Sequence, residues 1–381
     1  MLQEFDLYPL VAPLKAWFAE NARDLPWRRK PSAYHTWISE IMLQQTRVEA
    51  VKPYYERFLK ALPTVRALAE CPEDQYLKLW EGLGYYSRVR NLHAAAVQIM
   101  EEHQGKIPAE YAKLLKLKGI GSYTAGAIAS IAYGEKVPAV DGNVLRILTR
   151  VSADETDIAK ASFKKEVEEK LRTLMDEVCL AAEDSDDPAR IAPGTLNQAM
   201  MELGAIVCVP NGAPLCDACP WKPFCKARKE KKIDRIPVKT KAKARRIEEK
   251  TIFLIKDQNK IAVHKRPAKG LLAGLYEYPN QPGHLSEKEA LDYVRSMGYS
   301  PLRIQALPDS VHIFSHVEWH MKAYFLLVEE EAFASEEQIA KRKKEHLIFA
   351  DAEAQREIYA LPSAFHAYKP YENAETFEQD K

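Results

Sequence analysis

The chain has 381 residues, of which 46% are hydrophobic and 29% charged, and its formal net charge at pH 7 is +1. This length predicts two or three domains of roughly 150 residues, and the composition excludes a mainly disordered chain. We expect a cytoplasmic protein without membrane association, because no run approaches the ~18 apolar residues of a membrane span and the N-terminus, MLQEFDLYPL, has acids where a signal peptide carries lysines. The small net charge hides one basic stretch, since residues 226–250 contain 12 Lys and Arg against 4 Asp and Glu.

Residues 8–225 have the apolar spacing of amphipathic helices. Stripes such as the one that contains Leu10 and Leu14 are separated by prolines, which interrupt helices. This pattern predicts an all-α domain over residues 1–228. The basic stretch that follows has no apolar stripe, so we interpret residues 229–247 as an interdomain linker, although such a stretch can also lie along a phosphate backbone.

Two carboxylates of the helical region are candidates for chemistry. Glu40 lies in the otherwise apolar WISEIML (37–43), where an acid needs a partner or a function and where burial should raise its pKa. Asp141 lies at the N-cap position of the helix that contains Val144. Most aspartates at this position only cap a helix, but the helix start also favours a charged carboxylate.

The sequence LKGIG (117–121) joins two helical segments. Gly119 and Gly121 allow a tight turn with exposed backbone N–H groups at a helix start, which suits a phosphate oxygen. An ordinary turn between helices explains the same residues, so the motif alone does not decide between these readings.

Four cysteines lie close together in the order Cys-x7-Cys-x2-Cys-x5-Cys, at Cys208, Cys216, Cys219 and Cys225. In a reducing compartment this spacing favours metal or cluster ligation over disulfides. A four-thiolate zinc knuckle is one alternative, but such knuckles more often have two Cys-x2-Cys pairs, and only one pair is present here.

The last third of the chain has the pattern of an α+β domain. Two apolar runs flank residues 257–259, which predicts a β-hairpin. Ser286 and Glu289 form the capping box of a helix. From 311 to 325 apolar and polar residues alternate, which predicts one strand. We assign residues 248–371 to this domain.

Together these motifs resemble the endonuclease III superfamily of helix-hairpin-helix DNA glycosylases, and within it the MutY-type adenine glycosylases. The similarity is carried by SEIMLQQT (39–46), EGLGYYSR (81–88), LKGIGSYTAGA (117–127), VDGNV (140–144) and the cysteine loop (208–225). The last third, with LYEYP (275–279), resembles the Nudix-like domain of the same family. The resemblance implies an all-α catalytic domain with an iron-sulfur loop, a C-terminal Nudix-like domain that recognises the lesion, and a polar tail over 372–381 that we expect to fray.

The resemblance also implies roles for individual residues. Glu40 protonates the leaving adenine, and Asp141 stabilises the sugar cation with Asn143 beside it, a pairing that suits glycosidic bond cleavage. Contacts to DNA are implied for Arg28, Gln44, Gln45, Thr46, Leu83, Tyr85, Gly119 and Gly121. Considered singly, Leu83 and Tyr85 would more often be core residues.

Position 123 bears on the subclass. Bifunctional relatives have a lysine there that forms a Schiff base with the sugar, whereas this chain has Tyr123, which cannot. The resemblance therefore implies base excision without strong strand cleavage. An aromatic residue at this place could also simply pack in the core.

For the cysteine loop, the resemblance implies a [4Fe-4S] cluster bound by Cys208, Cys216, Cys219 and Cys225. The family usually has six residues in the first gap, and this chain has seven. Asn211-Gly212 can accommodate the additional residue in a turn.

In the C-terminal domain, the resemblance places Phe314, Ser315 and His316 against 8-oxoguanine. A Ser hydroxyl can accept from the N7–H of that base, which guanine lacks. Alternatively, Ser315 is a small core position on the predicted strand. A Nudix hydrolase is disfavoured, because Arg295 and Ser296 occupy the places of the paired glutamates that would bind Mg²⁺.

The sequence thus predicts a monomeric DNA repair enzyme whose partner is double-stranded DNA with adenine mispaired with 8-oxoguanine or guanine. One alternative is a bifunctional pyrimidine glycosylase and lyase, which Tyr123 argues against. Another is a non-catalytic DNA-binding protein with a structural metal, which the pairing of Glu40 and Asp141 argues against.

Overall fold

The computed structural model describes residues 2–179, 187–240, 244–329 and 333–372. The chain divides into two compact units. The first contains Met1–Glu70 and Ser87–Lys241, and the second contains Cys71–Tyr86 and Ala242–Lys381. Residues 373–381 of the predicted tail lie outside the described residues.

The first unit is helical, as predicted for this part of the chain. Its helices are α1 (Val11–Asn21), α2 (Pro26–Arg29), α3 (Ala33–Leu43), α4 (Val48–Ala61), α5 (Val65–Ala69), α7 (Ser87–Glu102), α8 (Tyr111–Leu114), α9 (Ser122–Tyr133), α10 (Gly142–Ser152), α11 (Ala161–Val178), α12 (Pro193–Ile206) and α13 (Lys226–Lys229), while α6 (Glu73–Leu79) belongs to the second unit. Among the described residues, none of these helices combines the length and the apolar character that crossing a bilayer requires.

Local sequence explains where the helices that position the candidate site begin. Helix α3 starts after Ser32, whose side chain accepts from the backbone N–H of His35. Helix α10 starts after Asp141, whose side chain accepts from the backbone N–H of Val144, so the predicted N-cap is confirmed. A Ser or Asp at this place satisfies an N–H group that has no partner within the helix.

One apolar core joins four helices of the first unit. It joins buried side chains of α1, α10, α11 and α12, such as Leu14, Leu148, Val167 and Leu203. The site-bearing ends of α10 and α12 are therefore fixed by packing along the rest of each helix.

The second unit is built on a mixed sheet, which confirms the predicted α+β class. Its strands and helices are β1 (Arg246–Asp257), β2 (Lys260–Lys265), β3 (Tyr276–Glu277), β4 (Asn280–Pro282), α14 (Glu287–Ser296), β5 (Pro301–Ile313), β6 (Val317–Val328), α15 (Glu336–Glu345), β7 (Ile348–Ala350) and α16 (Ala352–Glu357). The strand order is β3-β2-β1-β6-β5, with β4 beside β1 and β7 beside β2, and only β1 and β6 run parallel among these pairs.

The second half of the central strand β1, residues 251–256, is buried on both faces. Ile252 and Leu254 contribute to one core, and Phe253 and Ile255 contribute to a second core with α14. A continuous apolar run is typical of a strand that is covered on both sides. The predicted hairpin between β1 and β2 and the predicted capping box of α14 are both confirmed.

The predicted single strand over 311–325 is wrong. Strand β5 ends at Ile313 and β6 begins at Val317, so Phe314, Ser315 and His316 form the turn between two antiparallel strands. The backbone N–H of Phe314 donates to the carbonyl of Val317 at 2.8 Å and closes the turn. Ser315 is exposed rather than on the buried face, because the chain reverses there.

Candidate active site

A cavity of about 810 Å³ opens between α3, α9, α10 and α12 of the first unit. Eight of the residues predicted for catalysis or DNA contact line it, namely Arg28, Glu40, Gln44, Gln45, Thr46, Tyr123, Asp141 and Asn143. Since these residues come from segments up to about a hundred positions apart, the fold brings together what the sequence shows only as separate motifs.

Glu40 is buried in the wall of this cavity, with 7% of its surface exposed. Burial raises its pKa to about 7, and the nearby charge of Asp141 also raises it, whereas the hydrogen bond from the Tyr123 hydroxyl and the charge of Arg28 lower it. A carboxyl group with this pKa is partly protonated at neutral pH. It can therefore supply a proton, as a general acid must.

Asp141 presents a carboxylate with both oxygens hydrogen-bonded. Oδ1 accepts from the backbone N–H of Val144 at 2.8 Å, and Oδ2 accepts from the side-chain amide of Asn143 at 2.7 Å. Burial raises the pKa of Asp141, while these two donors and the charge of Arg146 oppose that rise. Two N–H donors favour the charged form.

Asn143 is itself held in place by Arg146, one turn further along α10. Nη2 of Arg146 donates to Oδ1 of Asn143 at 2.7 Å and to the carbonyl of Gly204 at 2.8 Å. Gly204 has to be a glycine here, because a Cβ atom would lie 2.6 Å from the Cβ of Asn143. The orientation of the Asn143 amide toward Asp141 therefore depends on α12 as well as α10.

Two arginines of α10, Arg146 and Arg150, contact the first cysteine of the loop, Cys208. Nε of Arg146 donates to the carbonyl of Cys208 at 2.7 Å. Nη1 of Arg150 lies 3.3 Å from the sulfur of Cys208 and donates to the carbonyl of Val209 at 3.1 Å, and its Nε donates to the carbonyl of Ile236 at 2.7 Å. One helix thus links the Asp141 end of the cavity to the cysteine loop.

The four cysteines of the predicted cluster site surround one small cavity of about 30 Å³. All four are free thiols. Burial and the neighbouring thiols raise the pKa of Cys216, Cys219 and Cys225. Four thiolates at this place therefore require a bound cationic group for charge compensation.

Four cysteine side chains in one loop are the donor set of a zinc knuckle and also of an iron-sulfur cluster. In the loop, Gly212 has a φ of +75° and follows Asn211, which is the turn that the seven-residue gap was expected to need. The donor set fits an iron-sulfur cluster, whose irons each take one cysteine.

Glu202 of α12 is a residue of the cavity wall that the sequence analysis missed. It accepts from Nε of Arg23 at 2.7 Å and from Nη2 of Arg28 at 3.0 Å. Although burial raises its pKa, these arginines lower it to about 2 overall. Glu202 therefore orients Arg28 toward the cavity. The signal was available, because an acid in the apolar run AMMELGAI (199–206) is as unusual as Glu40 in its own helix.

The other predicted contacts do not line the cavity. Gly119, with a φ of +74°, and Gly121 form the turn before α9. In the second unit, Leu83 is buried, whereas Tyr85 is 50% exposed and has a φ of +47°. Phe314 packs against Trp319 with ring centroids 4.9 Å apart, while Ser315 and His316 are exposed.

Comparison with known proteins adds the family context. Residues 38–175 match the model of the HhH-GPD superfamily of base excision DNA repair proteins, and residues 251–369 match the NUDIX domain model. The chain is 33% identical to the human protein called adenine DNA glycosylase, covering 83% of this chain and 66% of that one. It is 33% identical to the rat adenine DNA glycosylase, with 84% and 71% covered. It is 35% identical to the adenine DNA glycosylase of Buchnera aphidicola (strain Sg), with 80% and 84% covered.

Proposed function

Because the chain belongs to the adenine DNA glycosylase family of base excision repair proteins, we propose that it excises adenine mispaired with 8-oxoguanine or guanine by hydrolysing the N-glycosidic bond. The observation that carries this proposal is the pairing of two carboxyl groups, the buried Glu40 and the half-buried Asp141, in the wall of one cavity. Cleavage of a glycosidic bond needs an acid for the leaving base and a carboxylate for the cation-like sugar.

Glu40 is assigned the role of the acid. Its pKa of about 7 leaves a substantial protonated fraction at neutral pH, and proton transfer to adenine makes the base a better leaving group. The hydrogen bond from Tyr123 fixes the carboxyl group. Arg28, held by Glu202, supplies a nearby positive charge that limits how far burial raises the pKa.

Asp141 is assigned to the sugar. Its carboxylate, with donors from Val144 and Asn143, can stabilise positive charge at the sugar C1′ when the base departs. Water then attacks C1′, the proton that water loses passes to Glu40, and the products are free adenine and an abasic site.

We propose that this reaction leaves the DNA backbone intact. Tyr123 has no amine with which to form a Schiff base. Lys164 also lines the cavity, but its amine donates to the Ser122 hydroxyl at 3.1 Å and lies 3.6 Å from Oε1 of Glu168. These contacts would have to break before the amine could react with a sugar.

Recognition of the lesion strand is assigned to the turn between β5 and β6. Ser315 is exposed on this turn, where its hydroxyl can accept from the N7–H of 8-oxoguanine, while guanine offers only an acceptor at N7. His316 is exposed beside it, and Phe314 is anchored on Trp319. Loss of one such contact costs on the order of 1–3 kcal/mol of discrimination.

We further propose that Cys208, Cys216, Cys219 and Cys225 hold a [4Fe-4S] cluster. When bound, such a cluster supplies a rigid, charged cross-link that orders this loop for DNA docking. The protein purified aerobically should contain iron and acid-labile sulfide near four each per chain by the stoichiometry of the cluster. One zinc and no sulfide per chain would contradict the assignment.

The decisive experiment uses a duplex with one adenine opposite 8-oxoguanine. We expect strand breaks that appear strongly only after alkali, because alkali cleaves the abasic site that excision leaves. Efficient nicking without alkali, together with borohydride trapping that disappears in Lys164→Met, would instead favour the bifunctional alternative. Tight DNA binding without excision, in protein with full iron content, would favour the non-catalytic alternative.

A further inference from the structure

A short segment of the helical region is structurally part of the second unit. Residues 71–86, which contain α6 and the loop after it, lie within the part of the chain that matches the HhH-GPD model, yet they form one compact unit with the C-terminal residues. We call residues 71–86 the arm. The contacts that hold it involve charged side chains rather than apolar packing alone.

Lys78 and Glu81 make the central contacts of the arm. Nζ of Lys78 donates to the carbonyls of Gln355 at 2.9 Å and Tyr359 at 3.1 Å, and it lies 2.6 Å from Oε2 of Glu81. The backbone N–H of Leu361 donates to Oε1 of Glu81 at 3.0 Å. Both charged side chains are largely buried, with 17% and 16% exposed. Hydrogen bonds of this kind, with a charged partner, are the stronger ones in proteins.

Two further ion pairs reinforce the same attachment. Asp74 of α6 lies 2.6 Å from Nζ of Lys265 in β2. Lys369 lies 3.5 Å from Oε1 of Glu81. The arm is therefore fastened both to the sheet and to the segment that follows α16.

The loop at the end of the arm places Tyr85 beside the turn between β5 and β6. Nε1 of Trp80 donates to the carbonyl of Gly84 at 3.1 Å, so the loop is tied to the end of α6. Tyr85 follows with a φ of +47°, a strained value for a bulky residue that surrounding structure must maintain. The hydroxyl of Ser315 donates to the hydroxyl of Tyr85 at 3.0 Å.

From this arrangement we infer that Lys78 and Glu81 are positioning residues for discrimination between 8-oxoguanine and guanine opposite adenine. They fix the arm on the second unit so that Tyr85 stays beside Ser315 and both side chains meet the lesion strand as one surface. The inference rests on the proposed function. It assigns a role in specificity to two side chains that touch neither the cavity nor, by themselves, the turn.

The test is the ratio of single-turnover excision rates at sub-saturating enzyme for adenine opposite 8-oxoguanine and opposite guanine. In Lys78→Met, which loses both carbonyl contacts and the ion pair, the ratio should fall about five- to tenfold. This is less than the loss of one whole hydrogen bond of a charged group would give, because Lys78 acts on the lesion only through the position of Tyr85. Excision opposite guanine should stay within about twofold of the wild type, because the cavity of the first unit is untouched. Lys343→Met is the matched control, since it removes an exposed lysine of the same unit on α15.

The outcomes separate the inference from the proposed function. An unchanged ratio in Lys78→Met would overturn the inference, whether both excision rates stay at the wild-type level or both fall equally. An equal fall on both duplexes would mean that Lys78 has only a structural role. A wild type with no preference for 8-oxoguanine would overturn the proposed lesion recognition instead. If Lys78→Met does not fold, the excision ratio is measured in Lys78→Arg and Glu81→Gln instead. The ratio should stay nearer the wild-type value in Lys78→Arg than in Glu81→Gln, and the reverse order would overturn the inference.

A second readout follows the attachment directly. Hydrogen exchange at the backbone N–H of Leu361 should accelerate in Glu81→Met, since its acceptor is lost, whereas Glu357→Gln, an exposed change in the same unit, should leave it unaltered. Unchanged protection of Leu361 together with a reduced excision ratio would contradict the positioning role.

Discussion

Replacing Tyr123 with phenylalanine removes one hydroxyl from the cavity. The pH dependence of the excision rate should then change in a defined direction. That hydroxyl donates to Glu40 and lies 3.3 Å from the sulfur of Met201. The bond favours the charged carboxylate and so lowers the pKa of Glu40 from the value that burial alone would produce. Without it the pKa rises.

The size of the effect follows from the strength of such a bond. A hydrogen bond to a charged group contributes about 1.5–3 kcal/mol, and a protonated carboxyl group would keep part of it, so about 1.5 kcal/mol of preference for the charged form is lost. A free-energy difference of about 1.4 kcal/mol corresponds to one pKa unit. The descending limb of the pH–rate profile should therefore move to higher pH by about one unit. Glu40 acts when protonated, so the wild-type rate should fall as the pH rises through about 7, and that of Tyr123→Phe should fall later.

The assay is single-turnover excision from an adenine:8-oxoguanine duplex between pH 5 and 9, the range that brackets this pKa. Tyr133→Phe is the matched control, because Tyr133 lies on the same helix and its hydroxyl donates to the carbonyl of Ile107 rather than to Glu40. A limb that stays in place in Tyr123→Phe, or moves to lower pH, would refute the assignment of Tyr123 as the donor that stabilises the Glu40 carboxylate.

Three other substitutions test the site from different sides. Glu40→Gln should lower excision by at least about 10²-fold while DNA affinity is retained, because the amide has no proton to give; near-normal turnover would remove Glu40 from the mechanism. Arg146→Met should lower both the excision rate and the melting temperature, since it leaves the acceptors of Asn143 and Cys208 without their donor at about 1–3 kcal/mol each; a fully active variant would show that Asn143 is held by other contacts. Glu202→Gln should reduce the free energy of unfolding at neutral pH by about 3 kcal/mol. Because the folded pKa of about 2 lies below the ordinary 4.5, this difference should be complete above pH 4.5 and shrink as the pH falls toward 2, and a difference independent of pH would contradict the charged assignment.

Glu40 and Asp141 show how much of the site local sequence can reveal. An acid among apolar neighbours predicts burial, and Glu40 is buried with a raised pKa. An aspartate before a helix predicts a cap, and Asp141 caps α10. Both signals are local, because they depend only on residues within one or two turns.

The polar network around the carboxylates could not be predicted in this way. Arg146 contacts Asn143 within its own helix, but its contacts to Gly204 and Cys208 join positions about sixty residues apart. Which acceptors an arginine finds over such a separation is decided by helix packing. Glu202, which meets Arg23 from 179 positions away, was missed for the same reason.

The turn at Phe314–His316 was misread because a hairpin can preserve the period of its strands. Odd positions remain apolar at Val311 and Ile313 before the turn and at Val317 after it. Alternation therefore continues through a place where the chain reverses, and nothing in the turn signals a break as Gly or Pro would. The structure shows the reversal and that Val311 and Ile313 are more than half exposed.

The hydrogen bonds between α10 and the cysteine loop limit where this loop can vary in length. Arg146 fixes the carbonyl of Cys208, and Arg150 fixes that of Val209, so the loop is anchored at its first two residues. An insertion or deletion in the loop that keeps these contacts with α10 must therefore fall after Val209. Asn211 and Gly212, with the positive φ of the glycine, form the place where one residue more or fewer changes only the course of the surface chain.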